Sequence, residues 1–261
     1  MYLYMLLFFF VVIRKSFIFL PKVGIKKEVM LWRQGIKDWN SFLSAKTIGG
    51  LSLSTKEEYD EHIRLAKNKL FVEDYQFFIN RCPSSEQWRL YDLLRDECLF
   101  VDIETSGYYG DITVIGVYNG SESKMFVRGF NLDRDEFIKT ITPYKLLVTF
   151  NGSSFDLPVI EKFFGLRFPH VHIDLRHVCA KLGYKGGLKK IEKMMGIARP
   201  DDVEGTTGLE AVHLWNQWAS TRQRFYLDKL LAYNEEDIIN LKPIAERSIK
   251  ELWASTYTQC L

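Results

Sequence analysis

Two acidic side chains, those of Asp102 and Glu104, end an apolar run that begins at Leu99. The run is rich in β-branched and aromatic residues, which favours a buried strand. Residues two apart on a strand point to the same face, so the two carboxylates share one face. Buried carboxylates repel each other, and a hard divalent cation would remove that repulsion. The spacing indicates either a metal site or, as is commoner for so short a motif, a polar strand end facing water.

Two later segments carry acids that can join this pair. Residues 151–156 (NGSSFD) follow a predicted buried strand and precede a helix. Ligands bind at such strand-to-helix turns in α/β sheets, although Asp156 would also complement the helix dipole. On the last predicted helix, Tyr233 and Asp237 are four residues apart and share one face. An acid beside an inward face requires a partner such as a metal ion, unless this pair lies exposed on the helix rim.

The composition is ordinary for a globular protein, with 47% hydrophobic and 26% charged residues. The net charge of +2 is too small to indicate a nucleic-acid partner by itself. A local basic patch suits a phosphate backbone, although a solvated charged face is the commoner explanation. The patch consists of Lys185, Lys189, Lys190, Lys193 and Arg199. The four cysteines form no Cys-x-x-Cys pair, which predicts reduced thiols in a cytosolic protein.

The first 29 residues require a separate interpretation. Residues 1–13 are wholly apolar, but Arg14 and Lys15 interrupt the run before it reaches the roughly 20 residues that span a bilayer. No basic residue precedes the apolar run, and no small-residue cleavage site is evident, so the sequence does not indicate a signal peptide. The segment is either a membrane anchor or an upstream extension with the true start at Met30. We favour the extension, and with it a cytoplasmic location and no stable membrane association.

The rest of the chain divides by its periodicity. Residues 30–95 have helical spacing and are interpreted as a helical N-terminal region. Residues 96–250 predict three strands, a helix, a strand and further helices, with a two-residue hairpin turn at Asn119-Gly120. The last helix is predicted over 221–241, and 251–261 is assigned as a C-terminal tail. This order suits a mixed sheet flanked by helices.

A second metal hypothesis arises from His170, His172 and Asp174. The spacing His-x-His-x-Asp resembles that of metallo-β-lactamase-like hydrolases. That pattern requires a histidine directly after the aspartate, and Leu175 stands there. We therefore disfavour this hypothesis.

The three acidic motifs together resemble the DEDD superfamily of 3′–5′ exonucleases, in the subgroup with a tyrosine in the third motif. In chain order they are Asp102-x-Glu104, Asn151-x-x-x-Phe155-Asp156 and Tyr233-x-x-x-Asp237. The resemblance covers about residues 97–247. The surrounding chain, including residues 86–91 (EQWRLY), looks like the YprB-type ribonuclease H-like proteins. The resemblance implies a ribonuclease H-like α/β fold and two divalent cations, Mg²⁺ or Mn²⁺.

The same resemblance implies a role for each motif residue. Asp102 would bridge both ions. Glu104 and Asp237 would complete the site of the ion that activates water. Asp156 would hold the second ion through water, and Tyr233 would orient the attacking water.

The expected activity is that of a metal-dependent nuclease. Two ions support the in-line displacement by which a phosphodiester is hydrolysed. The most favoured form is a 3′–5′ exonuclease acting on the 3′ end of single-stranded DNA or RNA, with Thr105 and Asn151 as candidate contacts to the terminal nucleotide. A structure-specific endonuclease and a non-catalytic nucleic-acid-binding adaptor with the same fold are the alternatives.

Overall fold

The computed structural model describes residues 11–107, 111–201, 203, 205 and 207–258. The chain forms two compact units, one of Met1–Arg95 with Ile249–Leu261 and one of Asp96–Ser248. Within the described ranges, no helix combines the length and the apolar character that a membrane span requires. Residues 1–10 of the N-terminal apolar run lie outside the described residues.

The first unit is helical, as the spacing of residues 30–95 predicts. Its α-helices are α1 (Val11–Lys15), α2 (Ile25–Arg33), α3 (Trp39–Ser44), α4 (Leu53–Phe71), α5 (Gln76–Ile79) and α6 (Tyr91–Leu94). Two 3₁₀ helices, Ser84–Leu90 and Arg95–Glu97, flank α6. Capping side chains define the starts of α3 and α4, where Asp38 and Ser52 accept hydrogen bonds from backbone amides.

Residues that precede Met30 contribute to the core of the first unit. Phe17 and Phe19 are buried, and the ring of Phe19 makes an edge contact with that of Trp39. Glu28 is fully buried in an ion pair. The start at Met30 stays a prediction, but the described part of the segment before it is packed as part of a folded unit.

A five-stranded mixed sheet forms the centre of the second unit. Its strands are β1 (Cys98–Thr105), β2 (Ile112–Tyr118), β3 (Ser123–Val127), β4 (Leu146–Thr149) and β5 (Val171–Asp174). Their order across the sheet is β3-β2-β1-β4-β5. Strand β1 is antiparallel to β2 and parallel to β4, and β5 is parallel to β4. The predicted mixed sheet is therefore confirmed, and the strand that carries Asp102 and Glu104 is its central one.

The turn between β2 and β3 differs in position from the predicted turn at Asn119-Gly120. Tyr118 pairs with Ser123, which leaves residues 119–122 as the loop. The side chain of Asn119 accepts hydrogen bonds from the amides of Ser121 and Glu122, each at 2.9 Å. The turn is shifted by one residue from the predicted Asn119-Gly120, because the backbone amide of Asn119 also donates to the carbonyl of Glu122 at 3.1 Å and leaves Gly120 and Ser121 between them.

Helices cover both faces of the sheet. They are α7 (Arg134–Ile141), α8 (Asp156–Phe164), α9 (Leu175–Lys181), α10 (Leu188–Met195), α11 (Gly208–Thr221) and α12 (Arg224–Thr258), of which the last continues into the first unit. On one face, Val101 and Ile103 of β1 form a core with Phe137 of α7 and Ile160 of α8. Because side chains alternate along a strand, the intervening Asp102 points to the opposite face.

The opposite face is covered by the last two helices. Val114 of β2 forms a buried cluster there with Leu214 of α11 and with Leu230 and Tyr233 of α12. The acidic face of β1 therefore looks toward the helix that carries the third acidic motif.

The last helix is longer than predicted, because it continues past Pro243. Proline lacks an amide hydrogen and usually ends or kinks a helix. Here Leu241 and Ile244 on either side of it are buried, so packing keeps this stretch helical. Residues 251–258, assigned to a tail, are helical, and 259–261 lie outside the described residues.

Three of the cysteines, Cys82, Cys98 and Cys179, are buried, while Cys260 lies outside the described residues. Burial raises the pKa of the Cys82 thiol to about 12. The thiolate is the reactive form, so this thiol is chemically quiet at neutral pH.

Candidate metal centre

Three carboxylates converge where β1 faces α12. Asp102 and Glu104 come from β1 and Asp237 comes from α12, and one oxygen from each lies within 4.8 Å of the others. Glu104 is 8% exposed and Asp237 is 5% exposed, while Asp102 is half-buried. Acids that are more than 130 residues apart along the chain therefore meet as the motifs predict. We call these three residues the acidic cluster.

A glycine on β2 allows α12 to approach the sheet. Gly116 lies opposite Asp102, and a Cβ atom there would lie 2.0 Å from Oδ1 of Asn234. Asn234 is fully buried and donates from Nδ2 to Oδ2 of Asp102 at 2.8 Å. This amide therefore orients the first acid of the cluster. The sequence interpretation missed Asn234, although it comes three residues before Asp237 on the same helix.

We expect Gly116→Ala to destabilise the protein, because a methyl group would push Asn234 and its helix away from Asp102. Overpacking of this kind costs about 1–3 kcal/mol of the free energy of unfolding. Urea denaturation measures that cost. The control is Gly208→Ala, since a Cβ atom there has no neighbour within 4 Å. Equal stability of the two variants would contradict the close approach.

Asp156 is the first residue of α8 and is 3% exposed. Its Oδ1 accepts a hydrogen bond of 3.1 Å from the amide of Ile103, the residue between Asp102 and Glu104. Asp156 is therefore held against the strand of the acidic cluster without belonging to its closest group. The position at the start of a helix confirms the predicted strand-to-helix turn.

Tyr233 lies beside Asp237 on α12, as the four-residue spacing predicts. Its side chain is 6% exposed, and its hydroxyl lies near the carboxylate of Asp237. Burial and, secondarily, the charge of Asp237 raise the pKa of Tyr233. The phenol therefore stays protonated and remains a hydrogen-bond donor at neutral pH.

The carboxyl groups of this site have raised pKa values. Burial is the largest cause for Asp102, and the charges of Asp156, Asp237 and Glu104 raise its pKa further. Burial also raises the pKa of Glu104, and it raises the pKa of Asp156 to about 7. Buried oxygen ligands that repel one another fit a hard divalent cation, because the cation would neutralise them.

Arg199 neutralises part of this negative charge. Its side chain is 5% exposed, and its Nη2 donates to Asp237. Nε and Nη2 also donate to the buried Glu192, at 2.8 and 2.7 Å. The pKa of Asp237 is raised by burial, and the guanidinium opposes that rise. The sequence placed Arg199 only in a basic patch and did not indicate this pairing.

The predicted basic patch divides into two parts. Lys185, Lys190 and Lys193 are exposed, as a solvated face would be. Lys189 and Arg199 instead reach the ring of Tyr233, with Nζ at 4.5 Å and Cζ at 5.8 Å from its centroid. The second pair therefore belongs to the surroundings of the acidic cluster.

The two candidate nucleotide contacts are engaged in their own loops. Thr105 donates to the carbonyl of Gly107 at 2.9 Å. Asn151 has a positive φ of 68°, and its backbone amide donates to Oδ1 of Asp174 at 2.8 Å. Arg176 donates to the Oδ1 of Asn151. Their contact with a nucleotide stays a prediction.

The residues of the disfavoured histidine hypothesis are used structurally. His172 is hydrogen-bonded to Thr149 at 2.9 Å, and His170 lies 3.2 Å from the carbonyl of Ile141. Asp174 accepts from the turn before α8 and from the amide of Arg176. Among the described residues, these side chains do not form a group of metal-ligand geometry.

The raised pKa of Asp156 predicts a pH dependence of stability in EDTA. A carboxyl pKa of about 7 in the folded state, against 3.8 for the unperturbed group, favours folding only while the group is protonated. This contribution is complete below about pH 4 and is lost as the pH rises through 7, at a cost of at most about 4 kcal/mol. Melting temperatures at pH 5 and pH 8 should therefore differ more for the wild type than for Asp156→Asn. An identical pH response of the two proteins would refute this.

Comparisons with known proteins concern the second unit. The family model RNase_H_2, described as RNase H superfamily, matches residues 99–249. No curated protein matches the chain. Among solved structures, the family B DNA polymerase from the hyperthermophilic archaeon Pyrobaculum calidifontis is similar, with a TM-score of 0.50 and 15% identity. The match covers 63% of this chain and 26% of the polymerase, so the likeness shows a shared fold over about a quarter of that protein.

Proposed function

This chain belongs to the RNase H superfamily, and from that membership we propose that it is a metal-dependent nuclease of the 3′–5′ exonuclease type. Its substrate is the single-stranded 3′ end of a nucleic acid. The observation that carries the proposal is the acidic cluster of Asp102, Glu104 and Asp237, with Asp156 and Tyr233 placed against it. The order and spacing of these residues also support assignment to the tyrosine subgroup of the DEDD superfamily and to the YprB type.

The donor set of the site fits hard cations, since every candidate ligand is a carboxylate oxygen. Two divalent cations, Mg²⁺ or Mn²⁺, held by the acidic cluster and Asp156 would supply a hydroxide at neutral pH and offset charge on the leaving oxygen. Asn234 holds the Asp102 carboxylate in place through its amide hydrogen bond.

The other residues of the site act on water and on the substrate. Tyr233, kept protonated, orients the attacking water through its hydroxyl. Thr105 and Asn151 contact the terminal nucleotide. The proposal also includes a cytoplasmic location and no stable membrane association.

One observation favours a second candidate, the non-catalytic nucleic-acid-binding adaptor. The guanidinium of Arg199 already contacts Asp237, so one acid of the cluster has a cationic partner within the protein. Metal dependence separates the two functions, because an adaptor would bind nucleic acid without a requirement for a divalent cation.

The experiment that tests the proposal is cleavage of 5′-labelled single-stranded DNA and RNA with Mg²⁺, Mn²⁺ or EDTA. A metal-dependent ladder that shortens from the 3′ end is the expected result. A circular single strand is the matched control substrate, since an exonuclease cannot begin on it. Cleavage of the circle would favour the endonuclease, and binding without cleavage in any metal would favour the adaptor.

A further inference from the structure

Two buried cationic atoms near the acidic cluster lack a hydrogen-bond partner within the described part of the chain. They are Nζ of Lys189 and Nη1 of Arg199, which are shielded from solvent and donate no hydrogen bond there. Native proteins satisfy nearly all buried polar groups, and charged groups most of all. The two atoms therefore point to an anionic ligand.

Arg199 is held in a fixed orientation by carboxylates. Its Nε and Nη2 donate to Glu192, and Nη2 also donates to Asp237. Glu192 is itself buried and accepts from Nδ2 of Asn240 at 3.1 Å. A guanidinium carries five N–H donors in one rigid plane, so these contacts leave the Nη1 donors aimed in one direction.

A pocket adjoins both cations. It has a volume of about 520 Å³, and its lining includes three cations, Lys189, Lys193 and Arg199, together with Thr207 and the acid Glu192 that pairs with Arg199. Lys189 and Arg199 also lie against the ring of Tyr233, whose hydroxyl lies near Asp237. The pocket is thus next to the acidic cluster, and it has room for a nucleotide.

We propose that Lys189 and Arg199 form a phosphate subsite that binds one backbone phosphate of the nucleic-acid strand beside the scissile bond. This inference rests on the proposed nuclease function and adds the residues that hold the strand. Lys189 acts as a point charge, and Nη1 of Arg199 donates to a non-bridging oxygen. Phosphate contacts of this kind position a strand without reading its sequence, so the subsite sets which bond lies at the acidic cluster.

The first test is binding of a fluorescent single-stranded oligonucleotide, as DNA and as RNA, to the full chain in EDTA. Under these conditions the readout does not depend on cleavage. We expect Lys189→Gln to raise the Kd about tenfold and to lower the salt slope by about 0.7, the value for one single-strand phosphate contact. The matched control is Lys190→Gln, which removes the same charge from an exposed neighbour on α10.

The second test identifies the phosphate. A methylphosphonate replaces one backbone linkage at a time near the 3′ end of the DNA strand and removes its charge. At one linkage, neutralisation should weaken binding by the wild type and have little further effect on Lys189→Gln. Arg199→Lys keeps the charge and should keep that dependence, whereas Arg199→Gln should lose it.

The proposal is overturned if Lys189→Gln binds the oligonucleotide as tightly as Lys190→Gln does. It is also overturned if the losses of affinity caused by Lys189→Gln and by the methylphosphonate are additive at every linkage. The outcome is separable from that of the nuclease assay. Coupling at one linkage without any cleavage would support the subsite and reject the nuclease, while cleavage without coupling would do the reverse.

Discussion

The Asp102→Asn variant should lose metal-dependent cleavage of nucleic acid by at least about 10²–10³-fold, yet melt at a higher temperature than the wild type in EDTA. The loss is comparable to the removal of one preorganised charge-stabilising group from an active site. The resemblance to the DEDD exonucleases implies that Asp102 would hold both ions, and its oxygen lies within 4.8 Å of those of Glu104 and Asp237. An amide at this position is a much poorer metal ligand than a carboxylate.

The gain in stability follows from the closeness of the carboxylates in the acidic cluster. Burial and the neighbouring acids raise the pKa of Asp102 well above its ordinary value. Ionisation of the Asp102 carboxyl in the folded protein is therefore unfavourable at pH 8. A neutral side chain of the same shape avoids that cost. The amide oxygen of the new side chain can still accept the hydrogen bond from Asn234.

Asp135→Asn is the matched control for this prediction. Asp135 is an exposed acid on α7 of the same unit, so its replacement should change neither cleavage nor the melting temperature. Retained cleavage by Asp102→Asn would show that the acidic cluster is not the catalytic site. Loss of cleavage together with a lower melting temperature would indicate a structural defect in place of lost chemistry.

The acids of the site could be predicted because their spacing is local. Asp102 and Glu104 share a face on any strand, and Tyr233 and Asp237 share a face on any helix. Asn234 and Arg199 could not be assigned in this way. The role of Asn234 depends on Gly116, and that of Arg199 depends on Asp237. Only folding brings the members of each pair together.

The fold shows the same limit. Strand β1 is close to its predicted extent because its run of buried residues is continuous in the sequence. The extension of α12 beyond Pro243 depends on burial of the flanking residues, which overrides the local tendency of proline. The packing of the segment before Met30 depends on a partner for Glu28 that lies 61 residues away.

That partner, Arg89, leads to the second large expected effect. Arg89 and Glu28 are both fully buried and lie 2.8 Å apart, Nη1 to Oε2. Arg89 also donates to Glu86 at 2.8 Å and to the Ser16 hydroxyl at 3.0 Å. The other oxygen of Glu28 accepts from the Ser16 hydroxyl at 2.8 Å and from the amide of Phe17 at 2.6 Å. One carboxylate thus ties the N-terminal segment to a buried cation.

We expect Glu28→Gln to lower the free energy of unfolding by about 3–5 kcal/mol, the usual cost of removing one partner of a buried ion pair. The substitution keeps the shape of the side chain and an oxygen for Ser16 and Phe17. It therefore isolates the lost charge opposite Arg89. Urea denaturation of the full chain measures the effect.

Two comparisons make this result decisive. Glu57→Gln removes an exposed acid from α4 and should leave the unfolding midpoint unchanged. A chain that begins at Met30 lacks Glu28 together with buried Phe17 and Phe19, so it should be less stable than Glu28→Gln. If that shortened chain instead unfolds at the wild-type midpoint, the buried contacts before Met30 do not stabilise the protein.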